Sequence, residues 1–127
     1  MTILGLDYGE KKIGVAKSAG SLAVTFCIIQ NDKILFQRIK EICEQQNIEK
    51  IVVGVPYPHS GNASDQQKKS EQFVKDLKQE LSIDVVAEDE RMSSQMAQKL
   101  GVGLKRGEED DAIAAMLVLQ SYLDKHT

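Results

Sequence analysis

The sequence predicts an α/β fold: a mixed five-stranded sheet, three antiparallel strands followed by parallel ones, with helices on both faces. Three short apolar runs joined by glycine-containing turns open the chain, which is typical of an antiparallel meander. Stretches with helical periodicity then alternate with short β-branched runs. This alternation is typical of parallel strands joined by helical crossovers.

The first half of the chain supplies four of the predicted strands and one helix. The opening strands are expected at Ile3 to Leu6, Ile13 to Lys17 and Ala23 to Gln30. From Lys33 to Gln46 the apolar residues recur at helical spacing, so an amphipathic helix is expected to pack on the sheet. The run Lys50 to Pro56 is β-branched without polar alternation, which predicts an interior parallel strand.

The second half begins with a predicted surface loop from Tyr57 to Ser64, rich in glycine, proline and polar residues. A second amphipathic helix follows, with Ser64 or Asp65 as its cap. Its apolar stripe consists of Phe73, Val74, Leu77 and Leu81. The fifth strand is predicted at Ile83 to Ala87.

The remaining elements are helices and one loop. A brief helix is expected to begin at Ser93 or Ser94 and to end at Leu100, and the loop Gly101 to Gly107 is rich in glycine and basic residues. A final helix is expected to open at Asp110 and Asp111. Because Ala112 to Leu119 is almost wholly apolar, this helix is expected to be buried on several sides.

Composition indicates one domain over residues 1–127. The 42% hydrophobic content is enough for a core without disulfides or a structural metal. Cys27 and Cys43 are expected to be buried free thiols in a reducing compartment. The sequence has no run long enough to span a membrane and no export signal, so a cytoplasmic protein is predicted.

The formal net charge of −3 argues against a broad, sequence-independent nucleic-acid coat. It is compatible with a metal-dependent nuclease, because such enzymes concentrate carboxylates at the site and need only local cations for the backbone. Lys11 and Lys12 near the first turn, and Lys105 with Arg106, are candidates for those local cations.

Carboxylates at three element ends could converge on one edge of the predicted sheet. Asp7 follows the first strand, Asp89 and Glu90 follow the fifth, and Asp111 begins the last helix. Cleavage of a phosphodiester by two metals requires carboxylates that converge on cations about 4 Å apart. Mg²⁺ suits such a site because it is a hard cation that prefers oxygen ligands.

Each acid also has an ordinary structural explanation. Asp7 could accept hydrogen bonds from its own Gly9 turn, and negative charge at Asp110 and Asp111 favours any helix N-terminus. The run Glu88 to Glu90 could be a solvated turn that Arg91 neutralises. The case for a metal site therefore depends on the three acids together.

Four segments resemble one family, named YqgF or RuvX, and they occur in the family's order over nearly the whole chain. They are Gly5 to Ala16, Ile51 to Pro56, Asp89 to Ser94 and Asp111 to Gln120. The resemblance implies a ribonuclease H-like fold, with which the predicted element order agrees. It also implies a bacterial cytoplasmic nuclease that processes the 5′ end of the 16S rRNA precursor, or alternatively a Holliday junction resolvase.

Carried over by position, the resemblance implies Asp7, Glu90 and Asp111 as catalytic metal ligands, with Asp89 as an alternate. The implied cofactor is Mg²⁺, or Mn²⁺ in its place. Arg91 belongs to the same motif and is expected to grip a phosphate or to hold the acids. The expected partner is structured RNA or branched DNA and not a membrane, and the chain is expected to be a monomer or a homodimer.

Two other functions stay open at this point. The aspartate–glycine turn also resembles the first phosphate loop of the actin and sugar-kinase superfamily, but a single domain of this length cannot form both nucleotide-clamping lobes. The chain could instead be a non-catalytic RNA-binding module for ribosome assembly. Saturable RNA affinity without turnover would distinguish that module from a nuclease.

Overall fold

The computed structural model describes residues 1–56, 64–89 and 108–126. Its strands are β1 (Thr2–Asp7), β2 (Lys12–Ala19), β3 (Leu22–Gln30), β4 (Ile48–Val55) and β5 (Asp84–Asp89). The described helices are α1 (Leu35–Gln46), α2 (Asp65–Glu80) and α3 (Glu108–Lys125).

The five strands form one mixed sheet in the order β3-β2-β1-β4-β5. The strand pairs β1–β2 and β2–β3 are antiparallel, whereas β1–β4 and β4–β5 are parallel. The predicted mixed sheet is confirmed, including the interior position of the Lys50 to Pro56 run. The β4 strand lies between two neighbours, which explains why it is apolar on both faces.

Helices α1 and α2 cover one face of the sheet, called here the two-helix face. Its core is built from large aliphatic side chains that the strands and both helices contribute. Leu4 and Leu6 of β1, Val53 of β4 and Leu77 of α2 are all fully buried there. The alternation of β1 turns these two leucines to one side and Ile3, Gly5 and Asp7 to the other.

Helix α3 covers the opposite face, called here the one-helix face. Small residues are prominent in its core, where Ala16 and Ala23 of the strands meet Ala115, Val118 and Leu119 of the helix. The Gln120 side chain fixes the helix to the β2–β3 turn, because its Oε1 accepts from the Ala23 amide at 2.8 Å and its Nε2 donates to the Ser21 carbonyl. The predicted burial of the last helix is confirmed.

Element boundaries differ from the prediction in several places; β4, for example, begins at Ile48 rather than at Lys50. Helix α1 begins at Leu35 rather than Lys33, because Asp32 forms a turn in which its carboxylate accepts from the Ile34 amide and its carbonyl from the Leu35 amide. Strand β5 runs on to Asp89, since pairing with β4 continues as far as Val55. Helix α3 begins at Glu108.

Two further predictions have definite outcomes, and three lie outside the described residues, among them the surface loop predicted from Tyr57 to Ser64, of which only Ser64 is described. Ser64 is the cap of α2, where its Oγ accepts from the Gln67 amide. Both cysteines are free; Cys43 is buried as expected, whereas Cys27 is only half-buried. The predicted brief helix through Leu100 and the loop Gly101 to Gly107 fall in the part of the chain that is not described.

Candidate active site

Asp7 is the last residue of β1, and glycines flank it on both neighbouring strands. It pairs with Gly14 of β2 and with Gly54 of β4. The alternation of β1 places Asp7 on the one-helix face, together with Ile3 and Gly5. Because neither flanking residue has a side chain, another backbone can approach the sheet closely beside Asp7.

Gly14 brings helix α3 against the same end of the sheet. A Cβ on Gly14 would lie 1.9 Å from the carbonyl oxygen of Asp111, so only glycine permits this approach. Directly opposed residues of an antiparallel pair share a face and have Cβ positions about 5 Å apart, which brings Asp7 within roughly 7 Å of the Asp111 backbone. Two of the predicted acids, Asp7 and Asp111, are therefore neighbours across Gly14.

A second strand glycine extends the close packing of α3. A Cβ on Gly5 would lie 2.7 Å from the Leu119 Cβ and 3.0 Å from the Ala115 carbonyl oxygen. Gly5 and Gly14 are both interior to their strands, where glycine weakens the strand unless another backbone approaches closely. These two glycines set the height of α3 above the sheet, and with it the position of Asp111.

The loop after Asp7 is held by the elements on either side of it. The side-chain amide of Asn31 donates to the Gly9 carbonyl oxygen at 2.8 Å, and the side-chain amide of Gln66 in α2 donates to the Tyr8 carbonyl oxygen at 3.1 Å. Gly9 itself closes the turn, since a Cβ there would lie 2.5 Å from the Lys12 carbonyl oxygen. The loop is therefore a fixed part of the site's rim.

Two of the predicted nucleic-acid contacts lie on this loop or directly after it. Lys11 is exposed, and Lys12 is half-buried at the start of β2. Glu10 pairs with Lys69 of α2, and this hydrogen-bonded ion pair lowers the pKa of the Glu10 carboxyl and raises the pKa of the Lys69 amine. Lys11 thus remains an exposed cation beside the Asp7 end of the sheet.

Glu88 is an acid of the site region that sequence reasoning did not assign. It is opposite Gly54, which in turn is opposite Asp7, so the three residues form one row across the sheet. Glu88 is buried, and Lys125 of α3 binds its Oε1 at 2.6 Å. The alternative interpretation of Glu88 as part of a solvated turn is therefore wrong.

The register separates Asp89 from this row. Val86 and Glu88 face α3, and Val85 faces the two-helix core, so the alternation of β5 places Asp89 on the two-helix side. The structure thus brings Asp7 and Asp111 together but does not place Asp89 on their face. The predicted ligand Glu90 and the predicted contacts Arg91, Lys105 and Arg106 lie outside the described residues.

The described acids are compatible with a magnesium site that has few protein ligands. Within residues 1–56, 64–89 and 108–126, no group of three or more acidic, histidine or cysteine side chains is arranged to hold a metal ion. Mg²⁺ commonly takes one or two carboxylates and completes its octahedron with water and substrate phosphates. The pair Asp7 and Asp111 provides donors of that kind and number.

The signals for the missed residues were present in the sequence but ambiguous. An isolated glycine within a strand pattern indicates a bulge or a close backbone approach, and Gly5 and Gly14 are the second kind. Nothing local to Glu88 indicates burial, because its cationic partner comes from the far end of the chain. The one sequence feature that pointed to its burial is that Glu88 directly follows the apolar run of a predicted strand.

The fold is that of the ribonuclease H-like class, which solved structures of known proteins share. RuvC of T. thermophilus, solved in complex with a Holliday junction substrate, aligns with a TM-score of 0.65 over 99% of this chain and 95% of its own, at 13% identity. The fowlpox virus resolvase, solved with Holliday junction DNA, aligns with a TM-score of 0.58 over 99% of both chains, also at 13% identity. At these identities the likeness concerns the fold alone.

The chain belongs to the RuvX family. The family model, described as a Holliday junction resolvase, matches residues 1–125. Relatives named as pre-16S rRNA nucleases include one from Thermoanaerobacter pseudethanolicus, 38% identical over 98% of this chain and 96% of its own length. Another, from Sulfurihydrogenibium sp., is 36% identical over 97% of this chain and 90% of its own.

Proposed function

We propose that the chain is a metal-dependent endonuclease that processes the 5′ end of the 16S rRNA precursor. The observation that carries the proposal is the contact of Gly14 with the Asp111 backbone, which brings the start of α3 against the sheet beside the strand position of Asp7. The names of the relatives supply the substrate class, since full-length relatives at 36–38% identity are named as pre-16S rRNA nucleases.

Asp7 and Asp111 are the residues that would hold Mg²⁺, or Mn²⁺ in its place. When bound, such an ion supplies positive charge at the scissile phosphate and lowers the pKa of a coordinated water. The chain's own part is to fix the two carboxylates on rigid elements, Asp7 at a strand end and Asp111 in a helix. Glu90, as the third carboxylate, remains a prediction.

The exposed cations beside the site are proposed to position the RNA backbone. Lys11 lies on the fixed loop after Asp7, and Lys12 begins the next strand. Contacts of this kind to phosphates set the register of a nucleic acid without reading its sequence. We assign the same role to Arg91, Lys105 and Arg106 as a prediction from the sequence.

The cytoplasm is the proposed compartment, as expected for an enzyme that acts on a ribosomal RNA precursor. None of the helices within the described ranges is long and apolar enough to cross a membrane. Free Cys27 and Cys43 are consistent with a reducing environment.

The deciding experiment compares variants on a precursor RNA substrate with Mg²⁺ present. Asp7→Asn and Asp111→Asn should each lower the cleavage rate about a hundredfold or more, because loss of a ligand carboxylate removes several kcal/mol of transition-state stabilisation. The matched control is Asp84→Asn, an exposed β5 carboxylate at the opposite end of that strand, and its rate should equal wild type.

Unfolding midpoints measured alongside show that each variant is folded. An Asp7→Asn protein that cleaves at the wild-type rate would refute the proposed site. RNA binding without any turnover, across magnesium and manganese titrations of the wild type, would favour the non-catalytic binding module instead.

Cleavage of a four-way DNA junction is the second candidate function, favoured by the family model's description and by the fold shared with two junction resolvases. A resolvase makes paired cuts and needs two active sites in a symmetric dimer. The wild type should therefore be offered the junction beside the RNA, and its mass in solution measured. Symmetric paired nicks made by a dimer would establish the resolvase activity.

A further inference from the structure

A cavity lies at the same end of the sheet as Asp7, but on the two-helix side. It has a volume of about 280 Å³ and lies between the start of α1 and the middle of α2. Tyr8, the residue directly after Asp7, forms part of its wall. One residue of the cavity wall is therefore the direct sequence neighbour of Asp7. No side chain assigned to catalysis lines the cavity.

Aromatic rings form the inner wall of this cavity. Tyr8 and Phe73 lie with ring centroids 4.8 Å apart, and Phe36 lies 6.0 Å from Phe73. Phe73 is buried in the core and fixes the other two rings, which are half-buried and border the cavity. Rings held in this way can stack against a flat heterocycle without losing side-chain entropy on binding.

Acidic groups form the outer edge of the cavity. Asp32 and Asp76 both line it, and Lys69, the cation among the lining residues, is already paired with Glu10. Asp32 already forms an ion pair with Arg38 at 3.3 Å. The Asp76 Oδ1 accepts one hydrogen bond, from the side-chain amide of Gln72 at 2.9 Å. A carboxylate has about four acceptor sites, so Asp76 keeps capacity for a further donor. This edge disfavours a phosphate and favours a ligand with N–H donors.

The volume suits a single base rather than a whole nucleotide. Drug-sized ligands occupy cavities of roughly 300–1,000 Å³, so a cavity just below that range fits one planar ring system. Single-stranded RNA is commonly recognised by bases that leave the stack, lie on aromatic side chains and form hydrogen bonds through their edges. The wall and the edge of this cavity provide those two kinds of contact.

We propose that the cavity between α1 and α2 is a subsite for one unpaired nucleobase that carries an exocyclic amino group, stacked on Tyr8 and Phe36 and hydrogen-bonded to Asp76. Guanine, adenine and cytosine carry such a group, whereas uracil does not. This inference rests on the proposed function, because it assigns to the nuclease a preference for a base near the cleaved bond.

The test measures binding without cleavage. Fluorescently labelled all-uridine RNA oligonucleotides, and versions with one guanosine, adenosine or cytidine, are titrated with wild-type protein in a chelator, and affinity is read by anisotropy. The amino-bearing versions should bind about fivefold or more tightly than the all-uridine strand. Equal affinity for all strands would overturn the subsite.

Two alanine variants of α2 provide a matched comparison. Asp76→Ala removes the proposed acceptor, and Glu71→Ala removes an exposed carboxylate that also accepts from a glutamine amide four residues earlier but lies outside the cavity. Asp76→Ala should abolish the base preference, whereas Glu71→Ala should retain it. Identical behaviour of the two variants would overturn the proposal.

A ring variant and the cleavage assay separate the remaining outcomes. Phe36→Leu keeps an apolar side chain but loses the stacking surface, so it should weaken binding of all strands, uridine included. A protein that cleaves precursor RNA but shows no base preference contradicts the subsite alone. A protein that keeps the preference but cleaves neither RNA nor junction contradicts the proposed function alone.

Discussion

The two faces of the sheet are packed by different means. On the two-helix face, large aliphatic side chains such as Leu4, Leu6 and Leu77 fill the space between the sheet and its helices. On the one-helix face, Gly5 and Gly14 lack side chains and α3 lies directly on the strand backbone. The first arrangement supplies apolar burial, and the second supplies proximity between backbones.

This difference separates stability from positioning. Apolar burial stabilises in proportion to area and tolerates small shifts of a helix, whereas a backbone contact fixes the helix within a fraction of an ångström. The two candidate ligands lie on the face with the backbone contact, one on the strand and one on the helix. Mutations on the two faces should therefore differ in which property they change.

Leu77→Ala should have the largest effect on stability. Leu77 is fully buried on the two-helix face, and its truncation leaves a cavity that costs about 2–5 kcal/mol of unfolding free energy. Urea denaturation measures this loss, and the cleavage rate per folded molecule should stay near wild type. A large fall in that rate would show that the two-helix face also positions the catalytic residues.

Gly14→Ala should cost less stability but more activity. Its Cβ would meet the Asp111 carbonyl oxygen, and overpacking of this kind costs about 1–3 kcal/mol. Because displacement of α3 moves Asp111 away from Asp7, the cleavage rate should fall at least about tenfold. Both quantities are measured on the same preparation.

The control for this variant is Gly20→Ala. Gly20 has a φ of +65° but open space around it, so the substitution strains only the turn by roughly 1–2 kcal/mol and should leave cleavage unchanged. If Gly20→Ala and Gly14→Ala lowered activity equally, positioning by the backbone contact would be refuted.

Lys125→Ala tests the charge that the one-helix face buries. The variant leaves Glu88 buried without its cation, which should cost about 1–2 kcal/mol in a urea denaturation experiment. The comparison is Asp84→Asn, which breaks the Lys50–Asp84 pair at an exposed carboxylate and should change stability by less than about 1 kcal/mol. Equal changes in the unfolding free energy of the two variants would mean that burial of Glu88 does not make its ion pair more stabilising than an exposed one.

Cys43 should give the smallest effect, and only at alkaline pH. Burial raises the pKa of its thiol to about 11, whereas a thiol in the unfolded chain titrates at about pH 8.5. A raised folded-state pKa gives a contribution that is complete below the unfolded value and is lost as pH rises towards the folded one. Relative to Cys43→Ala, the wild type should therefore lose stability between pH 8 and pH 10, about 2 kcal/mol for the full shift and about 1 kcal/mol once screening by nearby solvent is discounted. A constant difference across that range would contradict the assignment.

Periodicity predicted the elements well because it is a local property. The apolar opening runs and the glycine-containing turns between them predicted the three antiparallel strands, and the β-branched run around Val53 predicted an interior strand. The positions of Asp7 at a strand end and Asp111 in the first turns of a helix followed from the same patterns. The approach of the Asp111 backbone to the Asp7 end of the sheet was predictable because β1 ends and α3 begins at the same edge.

Features that depend on contacts between distant elements were not predictable from the sequence. Burial of Glu88 depends on Lys125, and Asp89 lies on the other face because β5 continues further along β4 than its apolar run. In each case the deciding partner is absent from the local window that determines periodicity.

Helix α3 is the one described element that covers its face of the sheet, and it is also the element that carries Asp111. Detachment of this helix would leave the five hydrogen-bonded strands and the opposite core intact. Such partial openings require less free energy than complete unfolding. Thermal inactivation should thus precede melting of the strands, with amides of α3 exchanging with solvent sooner than those of β4.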